Sequence, residues 1–354
     1  MNTSLLNLGL SPFFTQQLTA KEVEVAQLAR IIEVQRSHVI ASDGTNQWAI
    51  TLGGAWYRDP PEKRPTVGDW VLLNDLRDKI IRLLERKSVF KRIAAGGKGE
   101  IQLMASNVDT LFILTSCNEE FSESRLERYL SLALESGVDP VVVLTKADLT
   151  EDSDDYRDRV KNLQGDIPVE TVNATDTKSL DGLLSWLANG STIALVGSSG
   201  VGKSSIVNSL SGTTLTETGS IREQDAKGRH TTSFRSLHCL PGGGILLDVP
   251  GIRELKVVQI ESTFGAVFED IEALASQCKF TDCAHRKEPG CAVRNAISDG
   301  TIDQRRLNNY QKLIQEELRN TASLAEQRIQ SRQFSKTIKQ HKSLKKDLGK
   351  RAKY

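Results

Sequence analysis

The sequence predicts a multidomain chain in which a small antiparallel β-barrel leads into a parallel α/β domain and then into a helical, metal-binding unit. Three observations predict it. Short β-rich runs punctuated by Gly, Pro and Asp extend from Val23 to about Phe90. From Thr110 onward, apolar strands alternate with helical stretches, the pattern of a parallel sheet covered by helices. Three of the five cysteines then fall between Cys278 and Cys291, ahead of an amphipathic helix. The expected units are residues 1–97, 98–262 and 263–354.

In the first unit, Leu8-Gly9-Leu10-Ser11-Pro12-Phe13-Phe14 is apolar enough to dock on a neighbouring domain. The apolar and β-branched run Val25–Val34 reads as a strand. His38-Val39-Ile40 and Gln47-Trp48-Ala49-Ile50-Thr51-Leu52 flank a turn containing Asp43-Gly44, a hairpin signature. Val67–Leu73 and Lys79–Leu84 add further strands, and the set suits an OB-fold. Trp48, Trp56, Tyr57 and Arg58 are candidate nucleic-acid contacts, since aromatic faces stack on bases and cations hold phosphates. Aromatics in a small barrel also serve as core, which is the competing reading for each.

Ala94-Ala95-Gly96-Gly97-Lys98-Gly99 is expected to be a flexible joint. Beyond it Thr110–Thr115 and Val141-Val142-Val143-Leu144 read as buried strands. Between them Ser124–Glu135 is an amphipathic helix with Leu126, Tyr129, Leu130 and Leu134 on one face, stopped near Gly137. The domain is organised around Gly197-Ser198-Ser199-Gly200-Val201-Gly202-Lys203-Ser204, which fits G-x-x-x-x-G-K-[ST]. It lies between the apolar strand Thr192–Val196 and a helix opening at Ser205-Ile206. In that context the glycines let backbone N–H groups surround the β- and γ-phosphates at the positive end of a helix. Lys203 reaches the phosphate oxygens and the Ser204 hydroxyl holds Mg²⁺.

Thr145-Lys146-Ala147-Asp148, directly after a strand, resembles the N/T-K-x-D motif that selects guanine in GTPases. The Asp148 carboxylate can accept from both N1–H and N2–H of guanine, a donor pair that adenine lacks, and Lys146 can lay its stem over the base. Thr145 stands where Asn is usual, which removes an amide contact. Val172-Asn173-Ala174 looks like the companion S-A motif, whose backbone N–H meets guanine O6, with Asn173 in place of Ser. Ile245–Gly251 is a strand ending in D-x-x-G; there Asp248 would hold Mg²⁺ through water and the Gly251 N–H would sense the γ-phosphate. Gly228-Arg229-His230-Thr231-Thr232 supplies a switch threonine, Thr231 or Thr232.

The order of these motifs sets the architecture. Ordinary GTPases run phosphate loop, switch, D-x-x-G and then the guanine motif. Here the guanine motif and its companion come first, so the domain is circularly permuted and D-x-x-G leads straight into the C-terminal unit. After Gly251 stands Ile252, where classical GTPases carry the glutamine that orients the attacking water. Intrinsic turnover is therefore expected to be slow, with His230 the nearest candidate for that task.

Cys278, Cys283, His285 and Cys291 form C-x4-C-x-H-x5-C, a full tetrahedral set with no open position and hence a structural zinc site. Cys117 and Cys239 are isolated and expected in the core. Ile302–Leu318 follows as a helix with Leu307, Tyr310, Ile314 and Leu318 on one side. From Ser331 to Tyr354 there are nine Lys/Arg and one acid, Asp347, leaving 37 basic and 44 acidic residues upstream. A basic tail on an acidic body suits a polyanionic partner such as RNA. With 38% hydrophobic and 26% charged residues the composition is that of an ordinary globular protein, without a run of about 18 apolar residues. The opening residues Met1–Asn7 lack the basic start and long apolar core of a signal peptide, so a cytoplasmic location is expected.

Taken together, these residues resemble the ribosome small subunit-dependent GTPase family (RsgA, also called YjeQ or YloQ). The likeness covers nearly the whole chain: the OB-like barrel, the permuted T-K-A-D…G-S-S-G-V-G-K-S-S…G-R-H-T-T…D-V-P-G series and the C-x4-C-x-H-x5-C element. The resemblance implies an N-terminal OB-fold β-barrel, a central circularly permuted α/β P-loop GTPase domain and a C-terminal zinc-binding α-helical domain. It implies a monomeric enzyme that binds GTP or GDP with Mg²⁺ and one structural Zn²⁺, and hydrolyses GTP slowly until stimulated by the small ribosomal subunit. Such a protein would contact rRNA through the OB and zinc domains late in subunit maturation and help release another assembly factor. The alternative is a GTP-gated rRNA-binding switch in which hydrolysis is incidental; a zinc-delivering GTPase is disfavoured by the closed ligand set.

Overall fold

The computed structural model describes residues 3–35, 37–54, 56–93, 101–174, 176–212, 235–248 and 264–318. Three short helices lead in: α1 (Thr3–Asn7), α2 (Pro12–Thr15) and α3 (Ala20–Val25). Thr19 and Glu22 form a reciprocal capping box that starts α3. The apolar residues of this lead dock on the barrel of their own unit rather than on a neighbouring domain. Leu8, Leu10 and Phe14 are buried against Trp70, Leu72 and Leu84 of the barrel.

The barrel strands are β1 (Gln27–Val34), β2 (His38–Ser42), β3 (Gln47–Thr51), β4 (Trp70–Leu73) and β5 (Ile80–Leu83), all antiparallel in the order β3-β2-β1-β4-β5. A bulge between Ile31 and Glu33 bends β1, so its first half pairs with β4 and its second half with β2. Asp43 closes the β2–β3 turn by accepting from the Thr45 and Asn46 N–H groups at 2.9 and 2.7 Å. Ala29, Ile31, Val39, Ala41, Ile50, Val71 and Leu73 fill the interior. β6 (Val89–Ile93) then pairs with β7 (Ile101–Ser106), so backbone hydrogen bonds join the two sides of the expected 97/98 boundary. The joint at 94–99 lies outside the described residues.

The α/β unit follows as β8 (Thr110–Ser116), α4 (Glu123–Ser136), β9 (Asp139–Thr145), α5 (Ser153–Leu163), β10 (Val169–Val172), α6 (Asp181–Leu184), β11 (Thr192–Gly197), α7 (Lys203–Ser211), β12 (Arg235–Cys239) and β13 (Ile245–Asp248). β10-β9-β8-β11-β13 are parallel, and β12 runs antiparallel on the outer edge of β13. All seven residues of β8 are buried, because helices cover both faces. Leu111 and Ile113 meet Leu126, Leu130 and Val160, while Phe112 and Leu114 face the opposite way toward Leu183, Ile206 and Leu210.

β12 also pairs with β1 through Glu33↔Ser236 and Val34↔Arg235, making barrel and α/β unit one continuous sheet. Arg30 reinforces that seam. Buried at 1% exposure, its guanidinium donates to the Leu8, Gly68 and Asn107 carbonyls and to Thr192 Oγ1 at 2.7–3.1 Å. Burial lowers its pKa to about 10, so the side chain stays charged at neutral pH.

The C-terminal unit comprises helices Phe264–Val267, Glu269–Ala275 and Ala292–Ser298 and a last helix at 304–318. Phe268, Ile271, Val293, Leu307, Tyr310 and Leu313 share one core with α4 and α5. Two expectations are corrected here. Leu318 is 60% exposed, and Leu313 takes its place in the apolar face, because the buried stripe steps by three residues from Leu307 through Tyr310. Cys239 is exposed, not core: it is the last residue of β12, close to the turn over 241–244. Cys117 is buried as expected.

Candidate functional site

Parallel strands expose their carboxyl ends on one edge, and the sequence motifs collect there. β11 ends at Gly197, and α7 starts at Lys203 with Gly202 in the left-handed region at φ 99°. A side chain at Gly197 would put its Cβ 2.6 Å from the Leu114 carbonyl oxygen of β8, so only glycine lets the loop leave the sheet there. A Cβ at Gly202 would lie 3.6 Å from Ala174 Cβ and 4.0 Å from Thr145 Cβ. The phosphate loop, the guanine motif and its companion are thus in van der Waals reach of one another.

The predicted residues that fall among the described ones each have a definite place in this group. Lys203 Nζ donates to the Gly197 carbonyl at 2.9 Å and also to the Ser198 carbonyl. Ser199 and Gly200 are exposed at the tip of the loop, whereas Val201 packs inward beneath it. Ser204 and Ser205 occupy the first turn of α7. Thr145 is fully buried, and its hydroxyl donates to the Val201 carbonyl at 2.8 Å. Its side chain therefore ties the guanine strand to the phosphate loop. Lys146 adopts φ 57°, ψ 30° and turns the chain into a short 3₁₀ segment, Ala147–Leu149, on which Asp148 is exposed. The Asn173 N–H donates to Ser179 Oγ at 2.9 Å, and Ser179 Oγ returns a bond to the Asn173 carbonyl at 2.7 Å, closing the loop that presents Ala174. Asp248 is exposed at the end of β13, beside β11. Ser204 and Asp248 offer hard oxygen donors on the same sheet edge, a set that fits Mg²⁺. His230, Thr231, Thr232 and Gly251 lie outside the described residues.

The second site is the cysteine cluster. The ligand atoms of Cys278, Cys283, His285 and Cys291 all lie within 4.8 Å of one another. Cys278 Sγ is 3.8 Å from Cys291 Sγ and 3.6 Å from His285 Nδ1, and Cys291 Sγ is 3.5 Å from that nitrogen. A tetrahedral zinc with sulfur at about 2.3 Å and nitrogen at about 2.0–2.1 Å requires separations of about 3.8 Å and 3.6 Å. The donor set fits zinc in chemistry and in spacing. Local backbone makes it possible: His285 takes φ 57°, Gly290 takes φ 76°, and Cys291 begins the helix Ala292–Ser298. Burial holds His285 below the usual imidazole pKa, favouring the neutral ligand form.

The match to known proteins covers this whole arrangement. The family model described as RsgA GTPase matches residues 83–258, the span from the guanine side through the phosphate loop to beyond D-x-x-G. The small ribosomal subunit biogenesis GTPase RsgA 2 of Vibrio parahaemolyticus is 49% identical over 94% of this chain and 91% of its own length. The chain belongs to the RsgA GTPase family. The small ribosomal subunit biogenesis GTPase RsgA of Mesorhizobium japonicum is 45% identical over 90% of the chain and 91% of its own. The fold agrees with the crystal structure of YjeQ from Thermotoga maritima, at TM-score 0.60 and 24% identity over 83% of this chain and 99% of that one. It also agrees with the crystal structure of YloQ, a circularly permuted GTPase, at TM-score 0.56 and 24% identity, covering 84% and 96%. A model described as ABC transporter matches residues 180–349, a span that includes the phosphate loop common to such NTPases. Among the described residues no helix is long and apolar enough to cross a membrane. The molecule is a GTP-hydrolysing enzyme with the permuted motif order of RsgA GTPases.

Sequence reasoning missed the residues that hold this GTPase to its zinc unit. Glu127 of α4 is fully buried and accepts from Arg306 at 2.8 Å, from Arg305 at 3.2 Å and from Asn309 at 2.5 Å. Arg128 forms a two-pronged pair with Glu316 at 2.7 and 2.8 Å. Burial works against the Arg306 charge, but Asp270 and Glu127 outweigh it and raise its pKa. The adjacent Arg305-Arg306 in an otherwise amphipathic helix was the available signal, since a buried arginine calls for a carboxylate partner.

Proposed function

We propose that this GTPase turns over slowly alone, is stimulated by the small ribosomal subunit, and acts late in maturation of that subunit, helping to release another assembly factor. The observation that carries the reading is the convergence of Thr145, Ala174 and Gly202 at one sheet edge, in permuted order, on a chain that also holds a zinc-fitting Cys₃His cluster. The names of the Vibrio and Mesorhizobium relatives refer to small-subunit biogenesis, and they match the chain at nearly full length. The working division is an RNA-binding barrel at 1–97, the permuted GTPase at 98–262 and the zinc-bearing helical unit with its basic tail at 263–354. The protein acts as a cytoplasmic monomer and meets rRNA through the outer units.

In this reading Asp148 accepts the two guanine donors, Lys146 covers the base, and the Asn173–Ala174 backbone meets O6. Loop N–H groups from Gly197 to Ser205 cradle the β- and γ-phosphates, and Lys203 moves from the loop carbonyls to the phosphate oxygens. Water attacks the γ-phosphorus and GDP leaves, the loop amides and Lys203 stabilising the charge that develops. Ser204 and Asp248 would hold Mg²⁺, which neutralises β- and γ-oxygen charge when bound. Thr231 or Thr232 and Gly251 read the γ-phosphate, and His230 orients the water in place of the glutamine replaced by Ile252.

The test is GTP turnover with and without isolated small subunits, with large subunits and ATP as controls. Stimulation by small subunits alone, for GTP alone, is expected. Nucleotide-dependent subunit binding without stimulation would instead identify a switch whose hydrolysis is incidental.

A further inference from the structure

Arg125, in the first turn of α4, donates to Ser198 Oγ of the phosphate loop and to the Glu120 carbonyl at 3.4 Å. Its neighbours Arg128, Arg159, Arg305 and Arg306 are each neutralised by a carboxylate. Among the described residues Arg125 pairs with none, although Glu119, Glu120 and Glu123 lie close in sequence. An uncompensated guanidinium is thus directed at a hydroxyl of an anion-binding loop.

Ser198 is the residue through which such a contact acts. Its carbonyl, with that of Gly197, receives Lys203 Nζ, while its hydroxyl receives Arg125. The side chain of Ser198 is half-buried, between an exposed Ser199 and a buried Gly197 that only glycine can occupy. Arg125 therefore pins the loop at the point where it leaves β11 and raises the local positive potential. The helix that carries it is itself fixed from the other side. Glu123 and Glu127 are gripped by Arg305 and Arg306 of the C-terminal unit.

We propose that Arg125 is a positioning residue of the phosphate loop, acting through Ser198, and that α4 thereby rests the loop on the docked C-terminal unit. It orders donors that meet the β-phosphate, which GTP and GDP share. Its removal weakens both nucleotides and leaves the bound reaction nearly unchanged.

The test compares Arg125→Met, Ser198→Ala and the double variant in the full chain, reading nucleotide affinity and turnover. Met keeps the packed stem, and Ser198→Ala is a minimal change, so folding is preserved. Arg125→Met is expected to weaken GTP and GDP alike by about tenfold and to raise KM with kcat within about twofold, as loss of a charge-assisted hydrogen bond allows. In the Ser198→Ala background the same change should have no further effect, because the pair acts as one unit. A loss confined to GTP would overturn the proposal and place Arg125 on the γ-phosphate. An undiminished effect in the Ser198→Ala background would overturn it too, as would unchanged affinity for both nucleotides.

Discussion

Thr145 Oγ1 sits 2.8 Å from the Val201 carbonyl oxygen, so the strand that leads into Thr145-Lys146-Ala147-Asp148 is tied by one hydrogen bond to the glycine-rich loop between β11 and α7. Thr145 is fully buried and Val201 is 3% exposed, so no water replaces a lost donor. Valine at 145 would keep the shape and leave that carbonyl unpaired, a cost of about 1–3 kcal/mol. Thr145→Val is therefore expected to lower the unfolding midpoint and to weaken GTP and GDP by about tenfold each, tenfold being about 1.4 kcal/mol. Calorimetric titration with both nucleotides checks it. Weakening of guanine nucleotides with unchanged stability would mean that Thr145 contacts the base instead.

Asp148 stands exposed on the Ala147–Leu149 turn, where its carboxylate offers two acceptors on one edge. Asn at this position keeps one acceptor and sets an amide donor against the second guanine N–H. Asp148→Asn should cost about 1.5–3 kcal/mol of GTP affinity, roughly tenfold to a hundredfold. It should favour xanthosine triphosphate, whose O2 accepts where guanine donates. Competition among GTP, XTP and ATP checks this; an unchanged preference for GTP would remove Asp148 from the base site.

The Cys₃His cluster has the spacing of a closed zinc site, and Cys291 and Val293 beside it belong to the core shared with α4. Loss of the metal should therefore unfold more than a surface loop. Cys291→Ser is expected to reduce bound zinc from about one per chain to a small fraction and to cost the C-terminal unit about 3 kcal/mol or more. Metal analysis and hydrogen exchange over 264–318 report this directly. Full zinc occupancy in Cys291→Ser would show that three other ligands suffice.

The elements legible in the sequence were those whose signal is local. The Asp43-Gly44 turn, the apolar run Val141–Leu144 and the phosphate loop each show their structure within a few residues, because turn chemistry, burial and φ preference act at short range. The cysteine cluster was legible because metal chemistry restricts which residues can meet. What escaped were contacts between distant parts. Arg30 reads as an ordinary strand residue, yet it joins carbonyls at 8, 68 and 107 to the hydroxyl at 192. Leu318 keeps the helical spacing of its face yet is 60% exposed, and Cys239 lies in strand β12 yet is exposed, because coverage depends on distant parts of the chain. No periodicity reports where a neighbour stops.

Glu127 is such a long-range partner, and its removal gives the sharpest test of how the C-terminal unit is held. It has no exposure and accepts from Arg305, Arg306 and Asn309. Glu127→Ala would leave Asp270 as the one carboxylate on Arg306, beside the Leu163 and Val267 carbonyls, and should cost about 3 kcal/mol, the low end for breaking a buried pair from one side. The Arg128–Glu316 pair lies alongside but is 25–30% exposed, so Glu316→Ala should cost about 1 kcal/mol or less. Salt separates the two. Raising ionic strength should erode the Arg128–Glu316 contribution and leave that of Glu127 nearly intact, because screening does not reach a dry site. Thermal unfolding of both variants at low and high salt measures this. Equal, salt-sensitive losses would mean that water reaches Glu127 and that its pairs contribute no more than surface ones.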